Sequence, residues 1–223
     1  MTQPRLNLPE KRALLLAISV DGPEASSGRR ARKLQKTIDH IGDAAWGLFE
    51  THGFDDVTME AIAVAADVAK GTLYKYFPIK EALIRHRFEK DRLEFKDDIV
   101  ASVLAMPSCA ERLTLFFQIE ADYLNKMRPY LGPYIRHLLR SGQTERDQGD
   151  RDAERFVAEL LRQGQASAEI NQDIAAERMA EHLVFMRSGT LIRWLASPEG
   201  SLPEMLDEML RLFLNGALLK RMS

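Results

Sequence analysis

The side chains best suited to chemistry sit in one short run, Lys70-Gly71-Thr72-Leu73-Tyr74-Lys75-Tyr76. Lys70 and Lys75 supply ammonium groups, and Thr72, Tyr74 and Tyr76 supply hydroxyls, within two helical turns. Donors of this kind suit the recognition of phosphates and base edges rather than bond making. Gly71 withdraws a side chain where a backbone could come close to a partner. Leu73 and Phe77 share an apolar side. A short helix with this make-up fits the major groove of duplex DNA.

Other chemistries find little support. His40, His52, His86, His137 and His182 are scattered, with no HExxH and no paired Glu-x-x-His set. Cys109 is the sole cysteine, so neither an internal disulfide nor a thiol-rich metal site can form. The expectation is a protein that is no enzyme, with no cofactor and no metal, in a reducing, cytoplasmic compartment. Lys and Arg number 31 against 33 Asp and Glu, a net charge of -2, so any nucleic-acid contact needs a local patch. Residues 29–36, RRARKLQK, carry five basic side chains and no acid. They read either as a solvated tail or, lying directly ahead of the stretch at 44–83 that holds the run above, as a DNA contact through Arg30 and Lys33.

The elements that must position these groups are helical throughout. No run reaches the ~18 apolar residues needed to span a bilayer. ALLLAISV at 13–20 superficially resembles a secretory signal, but it is short and no cleavage pattern follows. Residues 1–28 are therefore expected to form a weakly ordered arm. A first helix, with Ile38, Ile41, Ala45, Leu48 and Phe49 on one face, ends at His52-Gly53. Thr58 N-caps a helix over 58–65, with Glu60 near its positive end. A four-residue turn then leads into 70–77, and so tight a turn forces the pair to cross steeply as a helix-turn-helix. Ile62, Ala63, Ala66 and Val68 pack that pair on the first helix.

Further on, a long helix at 80–105 stops at Pro107, and Ser108 with Glu111 forms a capping box for 108–127. Pro129 and Pro133 are expected to bracket a break before a helix at 134–140. Residues 141–152 read as a loop or the start of a helix ending near Gly164. Asp173 is expected to open a helix to Ala196, and Ser201 with Glu204 to box a last one running to about Arg221. That makes about nine helices and no strands, an all-α fold.

Residues 44–83 resemble the DNA-binding region of the tetracycline-repressor (TetR) family. The match runs through Ala44-Ala45, Phe49, Gly53, Thr58, Ile62-Ala63, Gly71-Thr72-Leu73-Tyr74, Phe77, Lys80-Glu81 and Leu83. The resemblance implies that Thr58, Tyr76 and Lys80 contact phosphates while Lys70, Thr72 and Lys75 face the groove. Tyr74 stands between groove contact and packing beside Phe77. Two departures stand out: Asp67 and Ala69 occupy the turn Gly and the capping Ser, and Pro78-Ile79 replace the usual polar cap before Lys80. Aspartate tolerates the left-handed backbone of the turn. Ala69 cannot cap, at a cost of about 1 kcal/mol.

The resemblance also implies a division into a helix-turn-helix domain at 29–79 and an effector-binding, dimerising helical bundle at 80–223. The wide apolar stripes of 173–196 and of the last helix suggest packing against a second copy, with Leu191, Trp194, Leu206, Leu210 and Phe213 in the interface. Phe116, Phe117, Tyr123, Tyr134, His137, Phe185 and Arg187 are candidate walls of a pocket for a partly lipophilic effector, or else ordinary core. Arg187 could meet a ligand carboxylate or pair with Glu120 or Glu181. The expected function is a ligand-responsive transcriptional regulator in a bacterial cytoplasm, at the nucleoid, a homodimer on a palindromic double-stranded DNA operator without membrane contact. The competing reading is an all-helical dimeric protein that binds small molecules and has lost DNA recognition.

Overall fold

A computed structural model describes residues 29–140, 148–197 and 199–216, with side chains described over 32–137, 151–197 and 199–216. The expected N-terminal arm at 1–28, the stretch at 141–147 and the last turns toward Arg221 lie outside the described residues. Among the described residues there are nine helices and no strand: α1 (Arg29–His52), α2 (Met59–Ala65), α3 (Lys70–Tyr76), α4 (Lys80–Leu104), α5 (Cys109–Lys126), α6 (Arg128–Arg140), α7 (Gln148–Ala166), α8 (Ala176–Leu195) and α9 (Leu202–Asn215). None is long and apolar enough to cross a membrane. They divide into two compact units, one of residues 29–94 with 129–140, the other of 95–128 with 148–216. The division falls inside α4, between Glu94 and Phe95.

In the first unit, α1 buries Ile41, Ala45, Trp46 and Phe49, a helical spacing that makes one inward face. Gly53 ends the helix at φ 81°, its N–H donating to the Phe49 carbonyl at 2.9 Å, the left-handed close that glycine adopts without strain. Phe49 packs on Phe54 with ring centroids 5.1 Å apart, and Trp46 on Tyr130 at 4.5 Å. Tyr134 meets Phe88 edge to face at 5.5 Å. These rings explain why α6 packs with α1 and the first half of α4 in one unit.

No break occurs at Pro133, because α6 is continuous through it. Pro133 lacks only the N–H that would have bonded the carbonyl of residue 129. The interruption falls earlier, at Met127, which caps α5. Burial of Tyr130, Leu131 and Tyr134 on one side of α6 holds the helix together across the proline.

In the second unit, the Ser108–Glu111 capping box forms on α5 in both directions. α7 ends at Ala166, near Gly164 as expected. A Cβ on Gly164 would stand 2.6 Å from Ile170 Cγ1 and 2.8 Å from Cys109 Cβ. The missing side chain lets α7 approach the start of α5. Left-handed Ala168, at φ 60°, follows the helix end. α8 starts at Ala176, later than Asp173, with Ala175 as an N-cap that makes no side-chain bond. At Ser201 only half of the expected box is made, the hydroxyl accepting from the Glu204 N–H.

The wide apolar stripes of α8 and α9 are consumed within the chain. Leu191 is 8% exposed, Trp194 0%, Leu206 1% and Leu210 2%, because α9 packs on α5 and α8, and α8 on α7. These four are core and not free interface, which corrects the sequence expectation. Phe213 is half-buried. The large apolar side chains that these two helices leave open are Phe185 (77%), Ile192 (52%) and Leu212 (52%).

Substituting Gly164→Ala is expected to destabilise the protein by about 1–3 kcal/mol, since the added methyl overlaps backbone-proximal atoms. Gly47→Ala, whose Cβ meets nothing within 4 Å, should instead stabilise by roughly 0.5–1 kcal/mol. Urea unfolding followed by circular dichroism compares the two.

Candidate nucleic-acid interface

The helix-turn-helix is built from its caps inward. Thr58, extended at φ -95° and ψ 156°, caps α2 by accepting from the Ala61 N–H at 3.1 Å. Glu60 follows in the first turn, its carboxyl held below the ordinary range by its own backbone N–H and then by the Lys70 ammonium. The Lys70–Glu60 pair spans 3.4 Å and is exposed on both sides, so it contributes little stability. α2 buries Ile62 and Ala63. Asp67 then takes the left-handed conformation at φ 49°, as the turn requires of the residue replacing glycine. The Val68 N–H returns to the Ala63 carbonyl at 3.0 Å. Ala69 precedes α3 with no side-chain cap, and the structure shows no cap from Asp67 in its place.

In α3, Leu73 is fully buried, and Phe77 just after it is 4% exposed. The remaining surface faces outward: Lys70, Gly71, Tyr74 and Lys75 are exposed, Thr72 and Tyr76 half-buried. Tyr74 is 43% exposed, while the ring that Phe77 meets is His86, edge to face at 5.5 Å. Lys75 Nζ lies 5.4 Å from the Tyr76 ring centroid. A Cβ on Gly71 would meet nothing within 4 Å, so packing within the chain does not require glycine there. Thr58 is exposed, as is Lys33 on the early turns of α1. The side chain of Arg30 lies outside the described residues.

Lys80 departs from the role the resemblance implies. Its ammonium donates to the carbonyls of Phe54 (2.5 Å), Val57 (2.8 Å) and Asp55 (3.2 Å), and it lies 4.3 Å from the Phe54 ring centroid. An ammonium has three donors, and here all three serve the loop before Thr58. Lys80 positions the N-cap of α2, and a direct phosphate contact would require it to give up one of these bonds. Sequence reasoning missed this role, and only the family spacing of Lys80 hinted that the position mattered.

Two histidines also proved structural. His40 Nε2 lies 3.1 Å from the carbonyl of Ala66 in the turn. The His86 ring is so close to α1 that a Cβ on Gly42 would fall 2.5 Å from its Cδ2. Asp39 Oδ1 stands 3.3 Å from His86 Nε2, near enough for an ion pair, yet that nitrogen makes no hydrogen bond. Burial pulls the His86 pKa below its usual 6.5, against the raising effects of Asp39, Glu89 and Asp43, while Lys90 adds to the lowering.

The effector candidates fall in different units. Tyr134, buried, and His137, half-buried, belong to the first. In the second, Phe117 is buried and Phe116 stacks on it and on Phe156 at 5.3 and 5.2 Å, with Tyr123 half-buried nearby in sequence. Arg187 pairs with Glu120, its Nε donating to both carboxylate oxygens at 2.8 Å. Phe185 stands on the open side of α8 and lines no interior wall of this unit. Among the described residues no group of three or more His, Cys, Asp or Glu could hold a metal.

A steeply turned helix pair presenting a polar, donor-rich second helix defines a helix-turn-helix protein. The profile described as bacterial regulatory proteins, tetR family, matches residues 41–86, from the middle of α1 into α4. The chain is 38% identical over 95 residues to the transcriptional repressor KstR of Mycobacterium tuberculosis, covering 42% of this chain and 40% of KstR. It spans half the length, or less, of KstR and of the M. tuberculosis regulator MftR. It is 26% identical over 171 residues to the Escherichia coli regulator UidR, covering 70% of this chain and 81% of UidR. The crystal structure of Thermus thermophilus FadR, a TetR-family transcriptional repressor in complex with lauroyl-CoA, superposes with a TM-score of 0.68 at 27% identity, covering 83% of this chain and 97% of that one. The match to the TetR family of bacterial regulatory proteins thus falls on the helix-turn-helix, residues 41–86.

Lys80→Met, which leaves three loop carbonyls without their donor, should cost about 1–3 kcal/mol, read as a lowered thermal midpoint that Lys80→Arg partly restores. For His86, the native state favours the neutral ring while the unfolded chain takes up a proton near its ordinary pKa. Stability from this group is therefore intact above about pH 6.5 and declines as pH falls below it. His86→Gln should lose less stability than the parent between about pH 7.5 and 5.5, measured as the shift in urea midpoint.

Proposed function

We propose that this protein is a ligand-responsive DNA-binding transcriptional regulator, a repressor released from a palindromic operator by a small molecule. One observation carries the reading: α3 buries only its Leu73 side and turns Lys70, Gly71, Thr72, Tyr74 and Lys75 outward. Thr58 and Tyr76 contact phosphates beside the groove, and Gly71 admits a phosphate or base edge where any side chain would intervene. The uncapped amides at the start of α3 lose no internal partner when they meet DNA. Two copies associate through α8 and α9, where Phe185, Ile192 and Leu212 supply the exposed apolar surface. The dimer places two α3 helices on half-sites about 34–36 Å apart.

The effector is a partly lipophilic molecule of the amphiphilic acyl-thioester kind. FadR of T. thermophilus, which shares this fold along nearly its whole length, was solved with lauroyl-CoA. The nine methionines suit an interior that repacks around flexible chains. Phe116, Phe117, Tyr123, Tyr134 and His137 are the candidates that remain for its surroundings. An effector that binds the non-operator conformation better lowers operator affinity by that difference in affinity. The protein acts in the cytoplasm, at the nucleoid.

The uncapped Ala69 is the one feature that favours a second reading, a helical small-molecule-binding dimer without DNA recognition. Selection of duplexes from a random pool separates the two. Enrichment of a palindrome is expected, and failure to enrich any sequence would favour the second reading. On the enriched duplex, Gly71→Ala should weaken binding at least tenfold while leaving helicity unchanged and raising stability by roughly 0.5–1 kcal/mol. Binding equal to the parent would remove α3 from the interface. Long-chain acyl-CoA added to the complex should release the duplex, monitored by fluorescence anisotropy.

A further inference from the structure

Glu60 sets a carboxylate beside the donors of α3. It lies in the first turn of α2, and its Oε1 stands 3.4 Å from Nζ of Lys70, the first residue of α3. The two side chains are 51% and 65% exposed, so the pair does little for the fold. The backbone N–H of Glu60 and then the Lys70 ammonium hold its carboxyl below the ordinary range, and it is ionised at neutral pH.

In a helix-turn-helix the first residues of the second helix meet base edges. A carboxylate fastened to Lys70 stands among those edges too, where phosphates would repel it. Base edges receive an anion only where an amino group donates, at cytosine N4 or adenine N6. What Lys70 needs beside it decides between them. Guanine offers N7 and O6 side by side as acceptors, and the amino group of its paired cytosine follows directly. O6 and that amino group are joined by a hydrogen bond of about 2.9 Å, close to the separation of Lys70 and Glu60. On an A·T pair the amino group lies between two acceptors, N7 and O4, and a methyl group takes the place beyond. Both acceptors oppose a carboxylate.

We propose that Glu60 and Lys70 read one G·C pair in each half-site as a unit, Lys70 donating to guanine O6 and N7 while Glu60 accepts from cytosine N4. An ammonium has donors enough for O6, N7 and one Glu60 oxygen. The other oxygen takes the N4 proton that base pairing leaves free. Glu60 acts chiefly by rejection, because any other pair leaves its charge desolvated against an acceptor or a methyl group.

The inference rests on the proposed operator binding, and selection of duplexes from a random pool tests the two separately. The parent should enrich a palindrome with one fixed G·C pair in each half-site whose identity depends on residue 60. Glu60→Gln should turn the cytosine at that position into adenine, since glutamine pairs bidentately with adenine N6 and N7. Glu60→Ala should leave the position degenerate and the rest of the palindrome intact. Replacing that pair by A·T in one half-site should weaken the parent roughly tenfold and Glu60→Ala no more than about twofold. Lys70→Ala should lose the same discrimination, and the double variant no more than either single one, as groups acting on one base pair require. Helicity and thermal midpoint should not change.

An unaltered selected sequence for both Glu60→Gln and Glu60→Ala would overturn the assignment. So would tighter binding of Glu60→Ala to every duplex alike, the result expected of a carboxylate that only repels phosphates. A parent that enriches no sequence would overturn the regulator reading and this assignment with it, a result distinct from the other two.

Discussion

Three loop carbonyls converge on one ammonium, and the placement of the helix-turn-helix depends on it. The loop between α1 and α2 has no helix of its own to satisfy the carbonyls of Phe54, Asp55 and Val57, and Lys80 supplies all three donors. The Phe54 ring covers the charge at 4.3 Å and is itself seated on Phe49, so the cation is bound between an aromatic face and three dipoles. The loop exits directly at Thr58, whose hydroxyl starts α2. The first residue of α4 therefore fixes the first turn of α2. This is a rigid joint: displacing the start of α4 displaces α2, and with it the turn into α3.

α3 itself is held by less. It has seven residues, among them Gly71 and two tyrosines, and a helix so short is not stable alone. No side chain caps its start. Its anchorage is Leu73 inside and Phe77 against the His86 ring, and His86 is in turn wedged beneath Gly42 of α1. A side chain at 42 would push the ring away, so the glycine sets how closely α1 and α4 approach. Economy of anchorage leaves the outer surface of α3 unused by the fold, which is the condition for a partner to use it.

What could be read from residues alone was what local chemistry dictates. Thr58, Ser108 with Glu111, and Gly53 mark helix ends through bonds made within a few residues, and each end lies where those residues predict. Asp67 was legible as a left-handed turn residue for the same reason. Features set by distant partners were not. Pro133 signals a break by its own chemistry, but burial of Tyr130 and Tyr134 carries α6 through it. Asp173 looks like a cap, yet α8 starts at Ala176 after a loop fastened by the Gln165 side chain, which donates to the carbonyls of Asn171 and Ile174. Lys80 reads as a phosphate ligand because nothing in its neighbourhood in sequence shows three carbonyls 23 to 26 residues away.

The same distinction governs which apolar faces stay exposed. A periodic stripe says that a helix face is buried but not by what, and the stripes of α8 and α9 were wide enough for either answer. Within the second unit, Trp194 is enclosed on one side by the Arg128 guanidinium, 4.6 Å from its ring, while its N–H donates to Gly200. Arg187 turns inward to Glu120, and a paired charge of this kind adds more to the register of α8 on α5 than to net stability. With Leu183, Leu191 and Trp194 directed inward by these contacts, helical geometry puts Phe185 and Ile192, seven residues apart, together on the outer face. Intrachain packing thus selects which apolar residues of these helices remain exposed.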